Sequence, residues 1–285
     1  MARGLHPAPG GGNLAAGNPA DFAHVDTIVM DLDDTIVSGT PALLAYVETL
    51  YQGLARMSRL PIEKVAEGFK GIRAQEIYAF ANAFNDHGPL KDKFPHRDLN
   101  EEFALVREQA NKAMIEALDA DPDFIAAIDG WHAKGYRLIV MTEGPGSATA
   151  MKLDAVGLTD KIDQVAVVAE TTPTGINDIR DAFPGKLWSK LTTLPAGFKE
   201  QPALIAEALK SWGVDPNRAV MIGNRVDRDL APMQELGANT IHMRQYDRAN
   251  EDALKKRFME LIFAGQDLPP GSGAAITDDV GGITP

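Results

Sequence analysis

Between Val25 and Val37 the chain reads Val-Asp-Thr-Ile-Val-Met-Asp-Leu-Asp-Asp-Thr-Ile-Val, and no other stretch restricts the fold as tightly. Thr27-Ile28-Val29-Met30 is a short apolar run rich in β-branched residues, which suits a strand buried on both faces. It stops at Asp31, Asp33 and Asp34, three carboxylates within four residues. Acidic side chains at the end of a buried parallel strand are costly unless positive charge meets them. A metal ion is one solution, and the carboxyl ends of parallel strands are where open α/β sheets place their sites. An acidic strand-to-loop turn without chemistry is the alternative.

The rest of the chain supplies a sheet for that strand to join. Leu138-Ile139-Val140-Met141, Val165-Ala166-Val167-Val168, Ala219-Val220-Met221-Ile222 and Asn239-Thr240-Ile241-His242 are further short strands, the first ending at Thr142-Glu143-Gly144. Helical patterns alternate with them, one running from about Gln201 to Trp212 and another from Glu251 to Phe263. Alternation of this kind predicts an α/β fold with a doubly wound parallel sheet, a Rossmann-like core. Between the first strand and the second lies a segment with helical periodicity alone. Thr40-Pro41 supplies an N-cap and first helical position, followed by Leu43, Leu44, Val47, Leu50, Tyr51 and Leu54 at helical spacing. Pro61 opens a second helix through Phe80, Phe103 to Leu118 marks a third, and Asp121-Pro122 starts a fourth. The expected organisation is a flexible arm over 1–20, an α/β core built from 21–38 and 120–265, an inserted all-helical domain over 39–119 and a flexible tail over 266–285. The segment from Thr171 to Gly197 is long for a connection, and its Leu187, Trp188 and Leu191 predict structure of its own.

Composition removes several classes of function. A formal charge of -12 argues against a nucleic-acid binder that works through a basic surface. The absence of cysteine excludes disulfides, thiolate zinc sites and cysteine nucleophiles. No apolar segment approaches the ~20 residues that span a bilayer, and Met1 to Ala20 has no apolar core of signal-peptide type. These features predict no nucleic-acid or membrane partner and a cytoplasmic location.

Four polar clusters carry the chemistry: Asp31-x-Asp33-x-Thr35, Thr142, Lys199, and Gly223-Asn224 with Asp227 and Asp229. All but Lys199 directly follow a predicted strand, so the sheet can bring them to one edge. A carboxylate can attack phosphorus, and a second one two residues later can serve as general acid and then base. A threonine hydroxyl and a lysine can hold the transferring oxygens. Magnesium takes oxygen ligands and neutralises charge that would repel a phosphate from the nucleophile. Lys186 and Lys190 are rivals to Lys199, and Asp34 is expected to be a turn residue.

In these four clusters the chain resembles the haloacid dehalogenase superfamily of hydrolases, most of which are magnesium-dependent phosphatases. The resemblance runs from about Val25 to Met243, and the helical insert sits where that family keeps its cap domain. It implies that Asp31 is the nucleophile, Asp33 the acid/base, Thr142 the second-motif hydroxyl and Lys199 the third-motif lysine. Thr35, Glu143 and Gly144 then fall on the substrate side, and Asp31, Asp33, Asn224 and Asp229 on the metal. The function so implied is hydrolysis of a small phosphorylated metabolite through an aspartyl-phosphate, with Mg2+ as cofactor, by a monomer or homodimer. A phosphotransferase or mutase, a dehalogenase using the same aspartate, and a non-catalytic binding protein are the alternatives. Asp33 and Asp229 count against dehalogenation, which needs neither an acid nor a metal. Two positions depart from the family pattern: Glu143 stands where Asn is frequent, and Asn224 where a metal-binding Asp is usual.

Overall fold

The computed structural model describes residues 24–68, 100–168, 187 and 189–243. Among the described residues the strand Thr27–Met30 (β1) is followed by the helices Gly39–Ser58 (α1), Ile62–Gly68 (α2), Asn100–Glu116 (α3) and Pro122–Ala133 (α4). Then come Arg137–Pro145 (β2), Gly146–Ala155 (α5), Gln164–Val168 (β3) and Leu191–Leu194 (β4). Pro202–Ser211 (α6), Ala219–Gly223 (β5), Ala231–Glu235 (α7) and Asn239–His242 (β6) follow among the described residues. All six strands are parallel, in the spatial order β4-β3-β2-β1-β5-β6. The chain steps outward from β1 to β4, then returns to the other side of β1 for β5 and β6. Met30 is level with Val140 of β2 on one side and Ile222 of β5 on the other. Such a reversal opens a crevice beyond the carboxyl ends of the strands. Asp31 lies just past Met30, at that edge.

The strands alternate between two apolar layers, as a side-chain period of two requires. Ile28, Met30, Leu138, Val140, Val165, Val167, Val220 and Ile222 face a layer closed by Phe124 and Ile128 of α4 and Ala150 and Leu153 of α5. Val29, Ile139, Met141, Ala166 and Met221 face the opposite layer, closed by Ile205 and Leu209 of α6 and Met233 of α7. A third cluster belongs to the helical segment. Tyr46, Val47, Leu50, Tyr51 and Leu54 of α1 pack with Val65 of α2 and with Ala110 and Met114 of α3, and Ala148 of α5 joins them. The insert therefore has its own core and rests on α5. Its two connections to the sheet clasp each other: the Ser38 amide donates to the Asp119 carbonyl at 2.7 Å, and the Asp119 amide to the Ser38 hydroxyl at 2.8 Å.

Asp121 caps α4 as its sequence predicts, its side chain accepting from the amides of Asp123 and Phe124. Two local expectations change, and the structure expected in the long connection takes a definite form. The first helix begins at Gly39, and Thr40 does not cap it. Asp34 sits in a left-handed turn (φ 59°), where its carboxylate accepts from the Thr40 hydroxyl at 2.9 Å and amide at 3.1 Å. The second strand continues to Pro145, with a break in register between Met141 and Pro145. The long connection contributes β4, whose Leu191–Leu194 pairs with Val165–Val168. Its sequence, Leu-Thr-Thr-Leu, is short and only partly buried, as edge strands often are. The helix expected over Glu251 to Phe263, the continuation of α2 to Phe80, the arm and the tail lie outside the described residues. Among the described residues no helix is long and apolar enough to cross a membrane.

Candidate functional site

Asp31, Lys199 and Asp229 meet at the carboxyl edge of the sheet, all three buried. The Asp31 amide continues the ladder to β5, donating to the Ile222 carbonyl at 2.9 Å, and this fixes where its side chain starts. Lys199 Nζ contacts Asp31 Oδ1 and lies 2.7 Å from Asp229 Oδ1, so one ammonium bridges two carboxylates. Lys199 comes from a one-turn helix, Phe198–Glu200, five residues past β4. Phe198 is buried in the apolar layer beneath and carries the lysine inward. Asp229 approaches β5 closely: a Cβ on Gly223 would lie 2.5 Å from that of Asp229, so glycine is needed there. Its other oxygen accepts from the Arg225 amide at 2.9 Å.

This cluster holds two negative charges against one positive. Burial pushes the Asp31 carboxyl up from 3.8 to about 7; Lys199 opposes the rise, and Asp229 adds to it. Burial by itself would lower Lys199, but Asp31 and then Asp229 outweigh it and hold the ammonium above its ordinary value.

Around this centre stand the other residues singled out in the sequence. The Thr35 hydroxyl donates to Asp31 Oδ2 at 3.0 Å, so both oxygens of Asp31 are oriented. Asp33 Oδ1 is 2.5 Å from Lys152 Nζ. Thr142 Oγ1 accepts from the Gly144 amide at 3.1 Å. Gly144 also marks a convergence. A Cβ there would lie 3.3 Å from the hydroxyls of Thr142 and Thr149 and 3.7 Å from Asp33 Oδ2.

Glu143 turns away from that space. Its carboxylate accepts from the amides of Gly197 at 3.0 Å and Lys199 at 3.2 Å, and Arg228 approaches it at 3.4 Å. Arg228 also lies 3.1 Å from Glu200. A carboxylate at this position thus holds the lysine-bearing turn rather than confronting an anion. Asn224 follows β5 directly, with its carbonyl accepting from the His242 ring nitrogen at 3.0 Å. Asp227 pairs with Arg225 at 3.0 Å on the exposed side. Of the rival lysines, Lys190 donates to the Ile162 carbonyl at 2.6 Å, away from Asp31, and Lys186 lies outside the described residues.

Two contributors were not singled out in the sequence, Lys152 and Thr149. Both are buried on α5. Thr149, Lys152 and Leu153 fall at helical spacing on one face. A lysine within an otherwise apolar or small-residue stripe was the available signal, because a lysine is almost never buried without a partner.

The donors near Asp31 suit a hard cation. They are the carboxylate oxygens of Asp31 and Asp229, and this buried pair is one positive charge short. Among the described residues there is no group of three or more His, Cys, Asp or Glu side chains arranged as a metal cage. Two carboxylates offer a hard cation few protein ligands, a number that suits magnesium, which keeps much of its water.

Residues 25–237 match the sequence model of the haloacid dehalogenase-like hydrolases. No curated protein sequence matches the chain. Among solved structures, a HAD phosphatase from Thermococcus onnurineus is 21% identical, with 76% of this chain and 85% of that one covered and a TM-score of 0.44. A 2-haloacid dehalogenase from Pseudomonas syringae pv. Tomato is 18% identical, over 82% of this chain and 99% of that one, at a TM-score of 0.47. The HAD-hydrolase YfnB from Bacillus subtilis, bound to magnesium, is 16% identical over 76% and 87%, at 0.42.

Proposed function

Because this chain belongs to the haloacid dehalogenase-like hydrolase family, we propose that it is a magnesium-dependent phosphatase acting on a small phosphomonoester. The observation that carries this reading is the pair Asp31 and Asp33. One is buried and oriented by Lys199 and Thr35; the other, two residues on, is half-buried and held by Lys152. Attack at carbon with loss of halide needs only the first. Transfer of a phosphoryl group from an alcohol needs both, because the leaving oxygen must gain a proton.

Asp31 attacks phosphorus, forming an aspartyl-phosphate as the bond to the leaving oxygen breaks. Asp33 gives that oxygen its proton. In the second half Asp33 takes a proton from the water that attacks phosphorus, and the bond to Asp31 breaks to release orthophosphate. Lys199 holds Asp31 in place and offsets part of the charge at the centre. Thr142 and the backbone beside Gly144 line the space beyond Asp33, where the phosphoryl oxygens would be received. Magnesium, when bound by Asp31, Asn224 and Asp229 with Asp33 alongside, would supply the positive charge that brings a dianion to an anionic nucleophile. The protein is taken to act in the cytoplasm on a phosphorylated metabolite, as a monomer or homodimer.

The purified protein is expected to release phosphate from p-nitrophenyl phosphate with magnesium and not in excess chelator, and Asp31→Asn is expected to be inactive. Undiminished hydrolysis in chelator, or by the Asp31→Asn protein, would sink the reading.

A further inference from the structure

Asp33 has less to hold it than Asp31. Its side chain is 32% exposed, whereas the Lys152 side chain that meets it is 4% exposed. A general acid standing partly in solvent reaches the leaving oxygen only if one of its two oxygens is kept pointing at it. We propose that Lys152 is a positioning residue for the reaction, fixing Asp33 by its Oδ1 so that Oδ2 is the oxygen presented to substrate. This rests on the phosphatase reading above.

Three observations converge on it. Lys152 Nζ lies 2.5 Å from Asp33 Oδ1 across the gap between α5 and the β1 loop, a pair 119 residues apart in sequence. Behind Oδ1 the backbone of Gly39 closes the space, since a Cβ on Gly39 would collide with the Asp33 side chain. Oδ2 is the oxygen nearest the Gly144 convergence, where the Thr142 and Thr149 hydroxyls also meet. One oxygen is thus walled in and charge-paired, while the other lies toward Gly144 and the Thr142 and Thr149 hydroxyls.

The geometry around Lys152 suits this use. Its helix starts at Gly146, immediately after β2, and its flanks are fixed on two sides: Ala148 packs in the insert's core, and Ala150 and Leu153 in the sheet's. A lysine on so constrained a helix presents its ammonium at a set distance from the β1 loop. Burying an ammonium is costly without a carboxylate to receive it.

The test compares an alkyl phosphate with an aryl phosphate, whose leaving group needs little protonation. Lys152→Met is expected to lower kcat on the alkyl ester by ~10–100-fold, part of the ~10²–10⁴ that a general acid supplies. The aryl ester should be nearly unaffected and KM unchanged. Lys152→Gln, which keeps a neutral N–H donor group, should recover part of the loss. In the Asp33→Asn background, Lys152→Met should cost little more, because both act on one step. A crystal structure of Lys152→Met should show the Asp33 carboxylate turned from its wild-type position. Equal losses on both esters, full additivity with Asp33→Asn, or an unmoved Asp33 overturns the proposal. If the wild-type protein cleaves neither ester, the phosphatase reading fails, and the position of Asp33 in that crystal structure still decides the role of Lys152.

Discussion

Asn224 occupies the first position past β5, the strand whose Ile222 carbonyl receives the Asp31 amide, and carries a neutral amide. An amide oxygen is a neutral ligand, so in the magnesium site proposed above Asp31 and Asp229 would supply the attraction. Asn224→Asp adds a charge at the end of β5. The expected result is a fall in the magnesium concentration giving half-maximal activity, on the order of tenfold for ~1.4 kcal/mol of added attraction. The maximal rate should rise less, because a third carboxylate also opposes the incoming dianion. An unchanged or higher magnesium requirement would show that Asn224 does not stand at the metal.

Glu143 connects three elements at once: the end of β2, the turn bearing Lys199, and Arg228 in the turn after β5. Removing a partly buried acceptor leaves its donors short of a partner, at up to ~1–3 kcal/mol where water does not replace it. Glu143→Ala should therefore lower the melting temperature and reduce kcat, since Lys199 loses the bond that seats its own backbone. Glu143→Gln, with one acceptor oxygen and no charge for Arg228, should fall between. A Glu143→Ala protein with wild-type stability and turnover would contradict this bracing role.

The same elements show how far the sequence can be read. The central strands were legible because burial on both faces leaves an unbroken apolar run that ends where polar chemistry begins. β4 was not, because an edge strand of Leu-Thr-Thr-Leu satisfies one side only and shows neither a run nor a clear alternation. Asp31, Asp33 and Lys199 announced themselves through spacing. The direction of Glu143 and the reach of Lys152 did not, since each is set by a partner more than fifty residues away.

Across the molecule, the site should weaken the fold that holds it. Asp31 titrates near 3.8 in an unfolded chain and at about 7 in the folded one. Between those values the folded state keeps a proton that the unfolded state releases, so rising pH favours unfolding. Lys199 does not oppose this, because its contribution is present below the ordinary lysine value and is lost only above it. In chelator, the wild-type melting temperature should therefore fall relative to that of Asp31→Asn as pH rises from about 4 to about 7. Parallel curves for the two proteins across that window would exclude the linkage. The dependence should shrink when magnesium is added, if the ion meets the charge that appears on Asp31.

The order of the sheet has a consequence for biosynthesis. β1 emerges first, yet one of its neighbours begins at Arg137 and the other only at Ala219. Asp31 and Lys199 are 168 residues apart, roughly ten to thirty seconds of translation at common elongation rates. Throughout that interval the nascent apolar strand lacks its later partner, and the long loop it must close slows the search once that partner arrives. A ribosome-bound chain halted before Ala219 can build the helical insert and the β2–β3 pairing, but the last hydrogen-bonded neighbour of the acidic strand is still missing. Catalytic competence is then the final product of synthesis, reached only after most of the chain has left the exit tunnel.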